Sequence, residues 1–469
     1  MVARTRHGVV ALALATAACA TPSLAPPEPG IAVPDTWAET RAAPVALDLT
    51  TYWRLLDDRL LTEFVEAAIV NNLDLVQSAA RLDQARAQLR SARAGYLPQI
   101  SASGRTSRDV GDFSQDELQF SLGADASWEA DLFGRIGSDV AATEADLAAA
   151  GYSLADLQRL ITGQVALATI QARATAAQLA IARDTLAYQD DNLQIARWRV
   201  QAGLVSSLDV EQARGQRAQT AAGIPQLEGN LTATANAIST LIGEPPGRVL
   251  RLLEEAAPVP DPPVLAGFEA PAEVLRRRPD VRGAEATLLS RTARIEGARA
   301  QLLPLIRLGG TIGTSSIGLD SLFDIITGNL FGTVSQLIFD GGRTRAQIDS
   351  AEAAADGALA AWRLSILGAL EDVETSAVDL DKAGERVAIF AEAYEAANNS
   401  AFLARSQYQA GLTDFRNLLT SENQLLSARL SQVSAQAERA SAFVRLTQAL
   451  GGGWDPAGYP LAAIDRTEP

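Results

Sequence analysis

The sequence predicts a mainly α-helical protein with a β-barrel portion, built from two duplicated half-chains. Three observations predict this fold class: a long internal repeat, apolar residues at heptad spacing, and short segments of alternating polarity. The repeat aligns "ARAGYLPQI" at Ala92–Ile100 with "ARAQLLPLI" at Ala298–Ile306, 206 positions apart. Solenoid repeats have periods of roughly 20–50 residues, so this period indicates a duplicated half-chain.

The N-terminus has the features of a secretory leader. Arg4 and Arg6 precede an apolar run that ends in small side chains. This run is too short to span a bilayer, which takes about 20 apolar residues. "TAAC" resembles a bacterial lipobox, which predicts cleavage before Cys19 and acylation of that cysteine. The alternative is an ordinary signal peptide with a chance cysteine.

The repeat, the leader and a proline-rich connector define the expected organisation of the chain. The connector is "APVPDPPV", and its prolines favour an extended backbone. We predict a signal peptide, a lipidated tether, a first repeat, a linker, a second repeat and a C-terminal tail, at 1–18, 19–49, 50–255, 256–264, 265–455 and 456–469.

The composition argues against catalysis and against nucleic-acid binding. The formal charge is −16, whereas a nucleic-acid-binding protein needs a basic face. His7, in the leader, is the only histidine, and Lys382 is the only lysine. A Ser-His-Asp or zinc-histidine site is therefore excluded from the mature chain. Paired carboxylates remain as acid–base candidates, but we predict no enzyme, no metal and no cofactor.

A long helix with two apolar stripes is predicted between Ser153 and Ala202. The stripes, each with seven-residue spacing, are Leu160, Leu167, Ala174, Ile181, Tyr188 and Ile195, and Val165, Ala172, Leu179, Leu186, Leu193 and Val200. At about 103° per residue they lie roughly 155° apart. Such a helix packs between two neighbours, as in the wall of a closed cylinder. One helix from Arg135 to Ala202 would measure about 100 Å.

Each long helix is predicted to end at a "QAGL" tetrapeptide, Gln201–Leu204 in the first half and Gln409–Leu412 in the second. The glycine suits a left-handed C-terminal cap. Ser206 or Ser207 can then cap the returning helix. The chain therefore forms two long helical hairpins.

After each Leu-Pro the period changes from heptad to alternation, which predicts β-strands. Phe120–Ala130 is apolar on one face and polar or acidic on the other. This pattern suits a transmembrane barrel strand, which needs about 9–11 residues, although a half-buried soluble hairpin has the same pattern. The second half alternates from Ile306 to Ile312, and a fourth strand is predicted near Leu330–Phe339. Closed barrels need about eight strands, so several chains would have to share one.

Together, these features resemble the TolC/OprM family of outer-membrane efflux proteins, especially its NodT-type lipoprotein branch, from about Thr50 to Trp454. The resemblance implies a homotrimer in which each chain gives four strands to a 12-stranded outer-membrane barrel and its long helices to a periplasmic α-barrel. It implies an exit duct, joined through a periplasmic adaptor (membrane fusion) protein to an inner-membrane pump of the RND type. It also implies a lipid anchor in the outer membrane.

By this resemblance the two hairpin tips dock the adaptor and narrow the channel. The docking residues would be Gly203, Leu204, Gly411 and Leu412, and the gate candidates Asp209, Asp414, Arg416 and Asn417. Family members often carry gate aspartates where this chain has Arg416 and Asn417, so we predict ion pairs between Arg416 and Asp209 or Asp414. The alternative is that the tips are simple helix-hairpin turns and that Asp209 is a solvated carboxylate in the first turn of its helix, where the helix dipole favours a negative charge.

Two other functions fit the same sequence. A channel for type I protein secretion would share the fold, because family membership does not fix the cargo. A periplasmic coiled-coil scaffold lipoprotein would share the helices without forming a pore. Neighbouring pump genes would distinguish the first alternative from an efflux duct, and conductance in a planar bilayer would distinguish the second.

Overall fold

The computed structural model describes residues 29–38, 48–108, 110, 118–255, 257–265, 267 and 269–455. The predicted leader with His7, the predicted acylation site Cys19 and the tail after residue 455 lie outside the described residues. The predictions for those segments, and for the domain boundaries, therefore stay predictions.

Apart from the short helix α5 (Arg248–Leu253), which only the first half has among the described residues, the same order of helices and strands occurs in both halves of the chain. The helices of the first half are α1 (Arg59–Asn71), α2 (Leu73–Arg93), α3 (Arg135–Gln201), α4 (Ser207–Leu241) and α5 (Arg248–Leu253). Those of the second half are α6 (Pro271–Arg277), α7 (Pro279–Ala300), α8 (Arg343–Gln409) and α9 (Phe415–Ala449). The long helices α3 and α8 have 67 residues each, and their partners α4 and α9 have 35 each. The helix lengths therefore agree with a duplicated chain.

In the described part of the chain, four strands lie between the helices, two in each half. They are β1 (Gln99–Arg108), β2 (Leu118–Ala130), β3 (Leu305–Ser316) and β4 (Thr327–Ser335). They form one antiparallel sheet in the order β1-β2-β3-β4. β1 and β3 each begin directly after a Leu-Pro, as predicted, because proline stops the preceding helix.

The fourth strand differs from its predicted position near Leu330–Phe339. Its pairing with β3 ends at Ser335. The segment after Ser335 still contains the apolar residues Ile338 and Phe339, but these lie directly before a tight turn at Asp340. The Asp340 carboxylate accepts hydrogen bonds from the backbone N–H groups of Gly342 (3.0 Å) and Thr344 (2.9 Å). This turn starts α8, so the strand stops before it.

The register gives the sheet one apolar face and one polar face, since residues paired across antiparallel strands project to the same side. The apolar face is formed by Ile100, Ala102, Gly104, Thr106, Leu118, Phe120, Leu122, Ala124, Ala126, Trp128, Ala130, Ile306, Leu308, Gly310, Ile312, Thr314, Gly328, Leu330, Gly332 and Val334, and it also carries Arg108 and Ser316 at the end of the sheet away from the helices. The polar face carries Arg105, Asp125, Glu129 and Arg307 among serines and threonines. The alternation predicted from Phe120 onward is confirmed as a strand.

The chain forms two compact units, and each takes segments from both halves. Among the described residues, the sheet unit includes those within Ala80–Gly151 and Arg282–Leu364, and the helix unit those within Ala32–Ala79, Tyr152–Val281 and 365–455. The largest apolar core lies in the helix unit, around the fully buried rings of Tyr52, Phe64 and Phe443.

Three arginines of the helix unit hold the C-terminal end of α9. Each donates to a different backbone carbonyl at the end of the helix: Arg159 to Gln448 (3.2 Å), Arg278 to Ala449 (3.1 Å) and Arg277 to Leu450 (2.6 Å). The Arg278 side chain is almost fully buried, and it also forms ion pairs with Asp280 (2.7 Å) and Asp372 (2.9 Å). Guanidinium groups suit this position because the end of a helix has a partial negative charge.

Candidate functional site

Both "QAGL" turns adopt the same helix-ending geometry. Gly203 has φ 70° and Gly411 has φ 74°, in the left-handed region that glycine tolerates best. The N–H of Leu204 donates to the Arg199 carbonyl at 2.9 Å, and the N–H of Leu412 donates to the Gln407 carbonyl at 2.8 Å. These bonds define a Schellman motif at each tip. The prediction of two helical hairpins is confirmed.

The returning helices start with capping residues. The Ser206 hydroxyl accepts from the Leu208 N–H at 3.2 Å, so Ser206 rather than Ser207 caps α4. The Asp414 carboxylate accepts from the Asn417 N–H at 2.9 Å and caps α9. The Asn417 side chain in turn donates to the Thr413 hydroxyl at 3.0 Å. Two predicted gate candidates, Asp414 and Asn417, are thus brought together as a helix cap.

The other gate candidates lie apart from these contacts. Asp209, in the first turn of α4, is half-buried, and Arg416, in the first turn of α9, is exposed. Among the described residues of one chain, Arg416 has no carboxylate at ion-pair distance. The ion pairs predicted for Arg416 therefore remain a prediction about contacts between copies of the chain.

A small apolar cluster joins the two hairpins near their tips. Its buried members come from all four long helices: Leu193, Ala213, Ala404, Tyr408, Phe415 and Leu418. The rings of Tyr408 and Phe415 lie 5.5 Å apart in a tilted arrangement. This cluster holds the predicted docking surface together, although Leu204 and Leu412 themselves are 71% and 79% exposed.

Arg199 ties the first tip to the second. Its guanidinium donates to the Tyr408 carbonyl at 3.0 Å and lies 4.2 Å from the centroid of the Tyr408 ring. Sequence reasoning missed both residues, although Arg199 stands four residues before Gly203 and Tyr408 three before Gly411. These positions do not correspond in the repeat, so the repeat gave no signal that they meet.

Ion pairs reinforce each hairpin behind its tip. Arg217 of α4 pairs with Asp190 of α3, and Arg405 of α8 pairs with Glu422 of α9. The hydrogen bonds that Arg405 donates to the Glu422 carboxylate raise the pKa of Arg405. The Arg405 guanidinium also lies 5.2 Å from the centroid of the Tyr188 ring. Each hairpin therefore has its own ion pair, and the apolar cluster lies between the two hairpins.

The described residues offer little for catalysis. No group of three or more His, Cys, Asp or Glu among them could hold a metal ion. Lys382 is committed to surface ion pairs with Glu385 (2.7 Å) and Asp381 (3.1 Å).

A sheet with one apolar face, joined in sequence to helices of 67 residues, defines a barrel-forming membrane protein with a large helical portion. The model of the outer membrane efflux protein family matches residues 64–244 and 270–452. The chain belongs to the outer membrane efflux protein family.

Individual relatives are similar in sequence to this chain over most of its length. Nodulation protein T of Rhizobium leguminosarum bv. trifolii is 30% identical over 96% of this chain and 98% of its own length. Toluene efflux pump outer membrane protein TtgF of Pseudomonas putida is 30% identical over 87% of this chain and 86% of its own. The structure of the outer-membrane channel OprN is 30% identical with a TM-score of 0.82, covering 92% of this chain and all of that one. The protein is therefore an outer-membrane efflux protein with a large periplasmic helical part, and its relatives are channel proteins.

Proposed function

We propose that this protein is the passive exit duct of a tripartite pump, working as a homotrimer with a periplasmic adaptor and an inner-membrane pump of the RND type. The observation that carries the proposal is the four-stranded sheet with an apolar face. In the order β1-β2-β3-β4, both β1 and β4 are edge strands with unpaired backbone groups. Four strands are too few to close a barrel, whereas three chains supply twelve.

The helices also support a shared assembly. In α3 one apolar stripe is mostly buried within the chain, but Leu160 and Tyr188 of the other stripe are 39% and 52% exposed. In the most apolar 18-residue window of each long helix, 56% of the residues are buried in α3 but only 22% in α8. Exposed apolar surface of this extent marks an interaction face. Neighbouring chains of a helical cylinder would cover it.

The hairpin tips are the proposed docking surface and gate. Leu204 and Leu412 project at the two turns, where adaptor hairpins would contact them. Asp414 is already used as a helix cap, which leaves the exposed Arg416 to pair with a carboxylate of a neighbouring chain, such as Asp209. Contacts of this kind are weak, about 0–1 kcal/mol when exposed, and therefore suit a gate that must open.

The proposed cargo is small molecules, because a relative of similar length is named as the outer-membrane protein of a toluene efflux pump. We also propose that Cys19 is acylated, with palmitate on its amino group, and anchors the chain in the outer membrane. The barrel supplies most of the membrane attachment, since one acyl chain alone binds membranes only marginally.

Disulfide cross-linking tests the shared barrel. In a Cys19→Ser background, Ser101→Cys in β1 and Asn329→Cys in β4 occupy opposite edges of one sheet, so they can join only different chains. Because the register between β1 of one chain and β4 of its neighbour is unknown, cysteine is also introduced at other β4 positions, such as Thr333→Cys. We expect a covalent trimer as the largest product. Absence of any cross-link across all pairs would contradict the shared barrel and favour the scaffold alternative.

A strain lacking the gene tests the duct function. It should accumulate pump cargo, and the wild-type gene should restore efflux while Leu204→Asp/Leu412→Asp should not. A matched control is Val264→Asp, an equally exposed apolar residue in the linker (86% exposed). Unchanged accumulation in the deletion strain, together with loss of a secreted protein, would favour the secretion channel instead.

A further inference from the structure

The loop between β3 and β4 carries an unusual set of exposed apolar side chains. They are Ile317, Leu319, Phe323, Ile325 and Ile326, each between 63% and 69% exposed. A loop in water normally exposes polar residues, and a contiguous apolar patch marks a contact with a partner or a membrane. The composition of this loop therefore calls for a covering that the described residues of the single chain do not supply.

The loop folds back onto the apolar face of the sheet. The Thr314 hydroxyl donates to the Leu322 carbonyl, and the Leu322 side chain is buried. Thr314 lies on the apolar face because it pairs with Leu122. The hydroxyls of Ser316 and Ser321 are hydrogen-bonded at 2.5 Å and fix the start of the loop. The loop is thus held against the face that strand alternation directs toward lipid.

Loop and sheet together border a shallow, open groove of about 450 Å³. Leu122, Ile312, Phe323 and Ile326 form its sides, and the small residues Ala102, Gly104 and Ala124 form its floor. A methyl group at Gly104 would lie 3.2 Å from the Leu122 side chain, so the glycine keeps the floor low. The volume lies within the range of small-molecule sites, about 300–1,000 Å³.

We propose that this groove binds an acyl chain of an outer-leaflet lipid, and that the loop lies within the outer leaflet. The helices join the sheet at its opposite end and are periplasmic, so the groove lies near the extracellular rim. The apolar face of a barrel contacts hydrocarbon. The lining side chains offer almost no hydrogen-bond partners, so water is a poor occupant, whereas an alkyl chain needs none. The proposal does not depend on the protein acting as a duct.

Fluorescence quenching tests the position of the loop. Phe323→Trp is reconstituted in phosphatidylcholine vesicles with brominated acyl chains, and its quenching is compared with that of the wild type. We expect strong additional quenching for Phe323→Trp and for Leu330→Trp, which lies on the apolar face. Leu412→Trp, at a helical tip, should add none. Quenching of Phe323→Trp no greater than that of Leu412→Trp would overturn the loop placement.

Native mass spectrometry tests the groove itself. The full-length protein is delipidated in detergent and then supplied with either phosphatidylethanolamine or lipopolysaccharide, which distinguishes the two lipid sources. We expect one retained lipid per chain in the wild type and in Ala126→Phe, which lies outside the groove on the same face of β2. Ala124→Phe, which fills the groove, should lose it.

A second variant keeps the test of the groove valid if the first variant does not fold. If Ala124→Phe fails to assemble, Ile326→Ala replaces it, because it removes one side of the groove without adding volume. Equal lipid retention in the groove variant and in Ala126→Phe would overturn the proposal. So would a wild type that retains no lipid from either source, since the groove would then be covered by protein.

Discussion

The guanidinium of Arg199 donates a hydrogen bond to the backbone carbonyl of Tyr408 at 3.0 Å and lies 4.2 Å from the centroid of the Tyr408 ring. One side chain thereby joins the last turns of α3 and α8, the two helices that end at the hairpin tips. A single hydrogen bond contributes about 0.5–1.5 kcal/mol and a cation–π contact about 0.5–1 kcal/mol. The sum of these two contributions is large enough to favour one arrangement of the tips and small enough for the binding of a partner to reverse it.

Removing this contact should loosen the tips. Arg199→Ala is expected to raise single-channel conductance, because both the hydrogen bond and the cation–π contact disappear. Tyr408→Phe is the matched control: it keeps the ring and the carbonyl, and the buried Tyr408 hydroxyl has no hydrogen-bond partner in the described part of the chain. Planar-bilayer recordings measure both. Equal conductance in the two variants would assign Arg199 a purely structural role.

The proposed gate pairs predict a second effect. Arg416→Ala and Asp209→Ala should each raise conductance and sensitise cells to large antibiotics, and high salt should reproduce part of the change by screening charge. Arg214→Ala is the control, because Arg214 is an exposed arginine of α4 that pairs only loosely with Glu211, at 3.7 Å. Unchanged conductance in both gate variants, at low and high salt, would place the constriction elsewhere.

Two neighbouring arginines should differ sharply in their effect on stability. Arg278 is buried and pairs with Asp280 and Asp372, whereas Arg276 is exposed and pairs with Glu273. Arg278→Ala should reduce the free energy of unfolding by about 3 kcal/mol, the lower end for a broken buried pair, because Asp372 is half exposed. Arg276→Ala should change it by about 0–1 kcal/mol. Denaturant unfolding in detergent measures both, and equal losses would contradict the capping role of Arg278.

The same site predicts a dependence on pH. Burial alone would raise the pKa of Asp280, but the hydrogen bonds and charge of Arg278 outweigh it and hold the pKa below its ordinary value. A depressed carboxyl pKa stabilises the fold above the unfolded value, about 3.9. That stabilisation is lost as the pH falls through the folded value. Asp280→Asn should therefore flatten the decline of thermal stability below about pH 4, and Glu273→Gln should not. An unchanged acid profile in Asp280→Asn would exclude this carboxyl as the source.

Acylation of Cys19 is the fifth prediction. Cys19→Ser should abolish metabolic labelling with a fatty acid, while the protein still inserts in the outer membrane through its barrel. Mass spectrometry of the wild-type N-terminus provides the independent check. A mature chain that starts elsewhere than residue 19 and carries no lipid would show an ordinary signal peptide.

Periodicity predicted the elements well where one pattern governed a long segment. The heptad stripes predicted α3, and the bounds of that helix agree with Arg135 to Ala202 within one residue. The alternation from Phe120 predicted β2, and the two "QAGL" glycines predicted both turns. These features are local, since each depends on the spacing of residues in one segment.

Contacts between distant segments could not be predicted in the same way. Arg199 and Tyr408 meet because two helices pack side by side, and neither position signals the other in the sequence. The turn at Asp340 ended β4 earlier than composition suggested. The fold-back of Phe323 and Ile326 onto the sheet depends on a hydrogen bond between Thr314 and Leu322. Each of these features is decided by tertiary packing rather than by periodicity.

Single-channel recording of the purified protein in planar bilayers tests the central claim most directly. The duct account predicts small, closed-state conductance for the wild type and a clear rise for a variant that combines Arg199→Ala with Arg416→Ala, in protein that cross-links as a trimer between β1 and β4. A cross-linked trimer that inserts in the bilayer but conducts no ions, in either the wild type or the double variant, would contradict it.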